Sequence, residues 1–103
     1  MKSIIEGKKY DTETAELIGE DSFSNQGDLH YWCESLYVTK NGSYFLVGEG
    51  GAMSQYSKKE GSNSWSGSSN IYPFGESEAF MWAEKHLSTD IIEKYFSEFV
   101  EEA

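Results

Sequence analysis

An α+β fold, a twisted antiparallel sheet built from N-terminal and central hairpins with two C-terminal helices packed on one face, is what this chain predicts from three observations. Short β-prone segments fill its first half, an Asn-Gly pair joins two of them, and apolar residues fall at helical spacing only near the C-terminus. Strands first and helices last is the order of an α+β domain, not the alternation of a parallel α/β sheet.

The central hairpin spans Tyr37 to Val47. Asn41-Gly42 supplies the two positive-φ residues of a type I′ turn between segments rich in Val, Tyr, Phe and Thr. A two-residue loop there pairs Thr39 with Tyr44, Val38 with Phe45, Tyr37 with Leu46 and Leu36 with Val47. Alternation then puts Trp32, Leu36, Val38, Phe45 and Val47 on the core face, with Tyr37, Thr39, Tyr44 and Leu46 on a second face that is itself rather apolar. Nearer the start, Ile4-Ile5 and Lys8-Lys9-Tyr10 flank Glu6-Gly7 as a shorter hairpin. Asp11 to Thr14 reads as a turn or a single helical turn capped by Asp11, and Ala15 to Glu20 reads as a strand.

At the other end Ala79, Trp82, Ala83 and His86/Leu87 recur at helical spacing, and so do Ile91, Ile92, Tyr95, Phe96, Phe99 and Val100. Ser88-Thr89-Asp90 between the two runs offers an N-cap and a first-turn carboxylate, so two helices are expected instead of one. Between hairpin and helices, residues 48–70 are rich in Gly and Ser and are expected as a long loop, with a short strand around Gln55 to Ser57 or a functional role as the alternatives. The whole chain, 1–103, is expected to form a single domain.

Charge narrows the function classes. The formal net charge is −10, arginine is absent, and residues 10–39 contain seven carboxylates and no lysine. Nucleic-acid binding depends on Lys and Arg neutralising phosphates, so direct contact with DNA or RNA is not expected, and neither is an anionic membrane surface. A negative field speeds encounter with basic partners, although acidic charge also serves solubility alone. One cysteine, Cys33, rules out an internal disulfide framework, and no apolar run is long enough for a membrane helix. The segment Met1 to Glu6 turns charged too soon for a secretory signal, and the expectation is a cytoplasmic protein.

The chemistry-bearing residues form weak constellations. Gly48-Glu49-Gly50-Gly51 lacks the Gly-Lys-Ser/Thr that a phosphate cradle needs and reads as a glycine turn. His30 and Cys33, three apart on an extended segment, point to opposite faces, so Cys33 reads as a small buried hydrophobe. No catalytic residue, metal or cofactor is expected. Trp65 stands alone in a Ser/Gly segment and either tucks into the core or anchors a partner. Tyr31, Tyr37 and Tyr44 join it if the second sheet face is open.

Three motifs, Lys9-Tyr10-Asp11-Thr12 with Thr14-Ala15, Gly50-Gly51-Ala52-Met53-Ser54 with Tyr56, and Glu78-Ala79 with Trp82-Ala83-Glu84, resemble small acidic proteins encoded by phages and other mobile elements. The likeness spans roughly residues 8 to 99 and carries no catalytic residue. Some proteins of this kind are anti-CRISPR inhibitors, so the resemblance implies a stoichiometric blocker of a CRISPR effector. The residues offer a mechanism, because carboxylates at strand or helix spacing can follow the phosphates of one strand, about 3.4 Å apart along the axis. Asp11, Glu13, Glu16, Glu20, Asp21, Asp28 and Glu34 form one acidic block, and Glu76, Glu78, Glu84, Asp90, Glu93, Glu98, Glu101 and Glu102 the other. The expected partner is the basic groove of a nucleic-acid-handling complex, bound by a monomer or small homo-oligomer. The rival reading is a protein-interaction module, an antitoxin or host-takeover adaptor, that uses Trp65 and the aromatic sheet face.

Overall fold

The computed structural model describes the backbone of residues 1–60 and 64–103, and the side chains of residues 1–59 and 67–103. Strands β1 (Lys2–Ile5) and β2 (Lys8–Asp11) form a separate two-stranded hairpin. Strands β3 (Glu16–Phe23), β4 (Trp32–Val38), β5 (Tyr44–Gly50) and β8 (Ser68–Phe74) form one antiparallel sheet in the order β3-β4-β5-β8. A small ribbon of β6 (Lys58–Glu60) and β7 (Ser64–Ser66) lies between β5 and β8 in the chain. Helices α1 (Glu76–His86) and α2 (Thr89–Phe96) follow, and a final 3₁₀ turn covers Ser97–Phe99. The α+β architecture is the one expected.

Both hairpin turns are glycine turns, but the I′ geometry expected at Asn41-Gly42 is found at Glu6-Gly7 instead. Glu6 (φ 53) and Gly7 (φ 79) are the two positive-φ residues of a two-residue turn, so the I′ geometry sits at Glu6-Gly7. In the central hairpin Gly42 alone has positive φ (84), and Asn41 does not share it. Thr39 and Ser43 close a three-residue loop there: Thr39 N–H donates to the Ser43 carbonyl (2.8 Å) and Ser43 N–H donates to Thr39 Oγ1 (3.0 Å). The Thr39 hydroxyl thus captures the amide that a tighter turn would have used.

One extra loop residue slips the register by one. Tyr37 pairs with Phe45, Leu36 with Leu46 and Val38 with Tyr44, which moves every β5 side chain to the face opposite the one expected. Leu36, Val38, Tyr44 and Leu46 share one face and pack under the helices together with Ile18, Ala79, Trp82, Ala83 and Phe96. Tyr37, Phe45, Val47 and Ile71 share the other, where Tyr10, Ile5 and Ala15 cover them. The sheet therefore has a helix layer on one side and the N-terminal hairpin on the other. Phe45 is 0% exposed, stacked on Tyr37 (centroids 5.2 Å) and met edge-on by Tyr10 (5.5 Å).

Of the twenty described residues in the segment expected as loop, 48–70, twelve lie in strands, but Gln55 to Ser57 form a turn and not the short strand considered there. β5 runs through Gly48 to Gly50, and Ser68, Ser69 and Asn70 pair with Gly50, Glu49 and Gly48 as the first half of β8. Gly48 is required inside the strand because the Tyr56 ring lies directly over it, where any Cβ would overlap the ring carbons. Pro73 sits in β8, an edge strand, which tolerates its missing N–H.

The helix ends follow expectation. Ser88 Oγ accepts the Ile91 N–H (3.4 Å) and starts α2, while Glu78 Oε1 accepts the Gly75 N–H (2.9 Å) at the start of α1. α1 buries Ala79, Trp82 and Ala83, and α2 buries Phe96, which stacks on Tyr44 at 5.6 Å. Among the described residues no helix is long and apolar enough to cross a membrane.

Candidate functional site

Beyond the apolar part of the helix-covered face, polar side chains from four segments converge. Glu34 on β4 points up beneath α1, where its Oε1 accepts the Trp82 Nε1–H (2.8 Å) and its Oε2 accepts the Tyr56 hydroxyl. Asp21, its cross-strand partner on β3, lies 2.8 Å from His86 Nδ1. His86 Nε2 is 3.9 Å from Glu34 Oε1, and the imidazole stacks on Trp82 (4.6 Å) and meets the edge of Trp32 (5.9 Å). Two carboxylates directly opposite each other on neighbouring strands repel. Three donors from α1 and from the crossing loop relieve that repulsion.

No buried side-chain N or O among the described residues lacks a hydrogen-bond partner, so this network is closed. It holds β3, β4, the Tyr56 loop and α1 together. Burial, reinforced by the Glu34 hydrogen bond, pushes the Tyr56 hydroxyl above the ordinary tyrosine range. On the other face Tyr31, which donates to Glu49 Oε1 (3.0 Å), is pushed up to about 12 by burial and then by that bond. The sign of the pH effect follows. Below pH 10.0 these hydroxyls keep their protons in folded and unfolded chain alike; between 10.0 and about 12 the unfolded chain loses protons that Tyr31 retains when folded. Stability should thus fall as pH rises through that window. Urea midpoints taken below and inside it will show the loss, and Tyr31→Phe should lose less.

The remaining candidates are not assembled for chemistry. Cys33 is half-buried, and burial with the nearby Glu20 raises its thiol, disfavouring the thiolate. His30 is exposed and lies 3.5 Å from Asp28. No group of three or more His, Cys, Asp or Glu among the described residues could hold a metal ion.

The acids of the first block are divided between structural duty and surface. Asp11 is 7% exposed and accepts the Glu13 N–H (3.0 Å), which pins the turn after β2. Asp21 and Glu34 belong to the closed network. Asp28 accepts from His30 N–H (2.8 Å) and Ser24 hydroxyl (2.7 Å), which hold its carboxyl below the usual carboxylate range. Glu13, Glu16 and Glu20 are exposed; Glu16 accepts the Tyr95 hydroxyl of α2, and Glu20 accepts from Ser35 (3.2 Å). A single track through all seven is therefore not formed.

The second block is exposed throughout. Glu76, Glu78, Glu84, Asp90, Glu93, Glu98, Glu101 and Glu102 lie on the surface of the helices and of the segment that follows them, a stretch of sequence whose two lysines are Lys85 and Lys94. Lys2, Lys8 and Lys9 are exposed on the hairpin layer, on the other side of the sheet, and Lys8 and Lys9 line a cleft of about 640 Å³ with Lys40. The hairpin side also carries carboxylates, with Glu6 and Glu13 exposed and Glu20 and Glu49 on the sheet face shared with Tyr37 and Phe45, and Lys58 and Lys59 are exposed on β6, so what marks the helix segment is its excess of eight carboxylates over two lysines. The aromatic face is partly covered: Tyr37 is half-buried and stacks on Phe45 beside the hairpin's Tyr10, and Tyr44 lies under Phe96. The side chain of Trp65 lies outside the described residues.

Sequence reasoning missed Tyr56, Trp82 and His86 as partners of Glu34. The available signal was Trp82, since an indole on a helix's buried stripe needs an acceptor for its N–H. No family model, no curated protein and no solved structure matches the chain.

Proposed function

We propose that this protein is a non-enzymatic, stoichiometric inhibitor that seats its acidic helix layer in the nucleic-acid-binding groove of a partner complex, a CRISPR effector as its sequence resemblance implies. The observation that carries this reading is the acidic excess of the helix segment, eight exposed carboxylates with two lysines among them, set against three exposed lysines on the hairpin at the other side of the sheet. Such an arrangement attracts a cationic groove and also orients the molecule, with the helix layer leading and the lysines trailing. Occupying the groove excludes the duplex without the inhibitor touching DNA.

The test is displacement of labelled target DNA from a purified CRISPR effector. Displacement should weaken steeply with added salt, and the triple reversal Glu84→Lys, Asp90→Lys, Glu93→Lys should weaken it about 10- to 100-fold, as the loss of several rim charges implies. Lys8→Glu with Lys9→Glu should leave it intact. Undiminished displacement by the helix-layer variant sinks the proposal.

A further inference from the structure

The helix layer is not uniformly polar. Phe80 of α1, Ile92 of α2, Phe99 at the end of the 3₁₀ turn and Val100 after it line a cleft of about 340 Å³ whose rim carries Glu84, Glu93 and Glu101. Phe99 and Val100 are 38% and 47% exposed, so the apolar floor is open to solvent. On the opposite layer the hairpin presents the matching shape. Register places Ile4 opposite Lys9, and Lys2 lies two residues before Ile4 on the same side. Ser3, Ile5 and Tyr10 turn toward the sheet, which leaves Ile4 74% exposed between two exposed lysines. One face thus has an apolar hollow ringed by carboxylates, and the other an apolar knob flanked by ammonium groups.

We infer that the cleft between α1, α2 and the chain after them is a docking site for a second copy of this protein, which inserts Ile4 with Lys2 and Lys9 against the acidic rim. The contact joins unlike faces, so it is head-to-tail, and it lies on opposite sides of the sheet, so it propagates instead of closing a two-fold dimer. Two copies of net charge −10 repel at long range. At about 0.15 M salt the screening length of about 8 Å removes most of that repulsion while contact pairs survive. A single aliphatic anchor with a few rim pairs makes a small interface, with a dissociation constant on the order of 10⁻⁴ M. This inference stands apart from the inhibitory reading, since it concerns the protein by itself.

Sedimentation of the purified chain tests it. The wild type should self-associate as concentration rises through about 10⁻⁴ M, and about 1 M salt, which shortens the screening length to about 3 Å, should weaken association at least about fivefold. Ile4→Asp and Val100→Asp change exposed residues, and each alone should be monomeric. Mixed in equal amounts they should form a heterodimer that grows no further, because one retains the hollow and the other the knob. A wild type that stays monomeric at about tenfold above that concentration, self-association that survives either substitution, or a mixture that remains monomeric overturns the inference.

Discussion

Glu34→Ala is expected to cost about 2–5 kcal/mol, because it removes the one acceptor shared by two buried donors, each costing about 1–3 kcal/mol when left unpaired. Trp82 and Tyr56 are each 8% exposed, so water does not simply take the place of the carboxylate. The loss extends to position: with Glu34 gone, the Tyr56 ring over Gly48 is fixed only by its backbone bonds and its contact with Tyr72, and His86 keeps Asp21 as its one carboxylate. Against a total stability of about 5–15 kcal/mol for a domain of this size, the variant falls close to the edge of folding. Denaturant unfolding measures the drop. Glu34→Gln should recover part of it by retaining one oxygen, and pairing Glu34→Ala with Trp82→Phe should cost less than the sum of the two, since the second change removes the stranded donor. A loss under about 1 kcal/mol would show that the carboxylate does not carry both bonds.

Phe45→Ala should cost about 3–5 kcal/mol, the range for deleting a fully buried aromatic ring. Phe45 is 0% exposed and holds the hairpin to the sheet through Tyr10, so the cavity opens between those two layers and not under the helices. The damage should be spatially resolved. Amide exchange should accelerate most in β1 and β2, while α1 and α2 lose only what global destabilisation dictates. Uniform acceleration across hairpin and helices alike would contradict the separation of the two hydrophobic layers.

Local chemistry carried the legible part of this fold. The Ser88 cap, the apolar stripes of Ala79/Trp82/Ala83 and Ile92/Phe96, and the two glycine turns each depend on residues within one turn of each other, and each is present. Register was not legible, because choosing between a two- and a three-residue loop at Asn41-Gly42 depends on the Thr39 hydroxyl and on which ring Phe45 meets across the sheet. β8 was hidden by Ser68-Ser69-Asn70, whose composition reads as loop but whose backbone completes the sheet against Glu49 and Gly48. The Glu34 network joins residues 22 and 48 positions apart, a distance at which no spacing rule operates. The acidic character was plain from the chain. Which acids stay at the surface and which serve the fold was not, because Asp11, Asp21 and Glu34 are taken up by partners that only the folded chain supplies.

Along β5, neighbouring side chains answer to different neighbours: Phe45 belongs to the hairpin side and Leu46 to the helix side. Sequence drift on either side is therefore decoupled. The carboxylate-bearing helices can change one substitution at a time while the N-terminal hairpin stays put, with β4 and β5 acting as the partition between them.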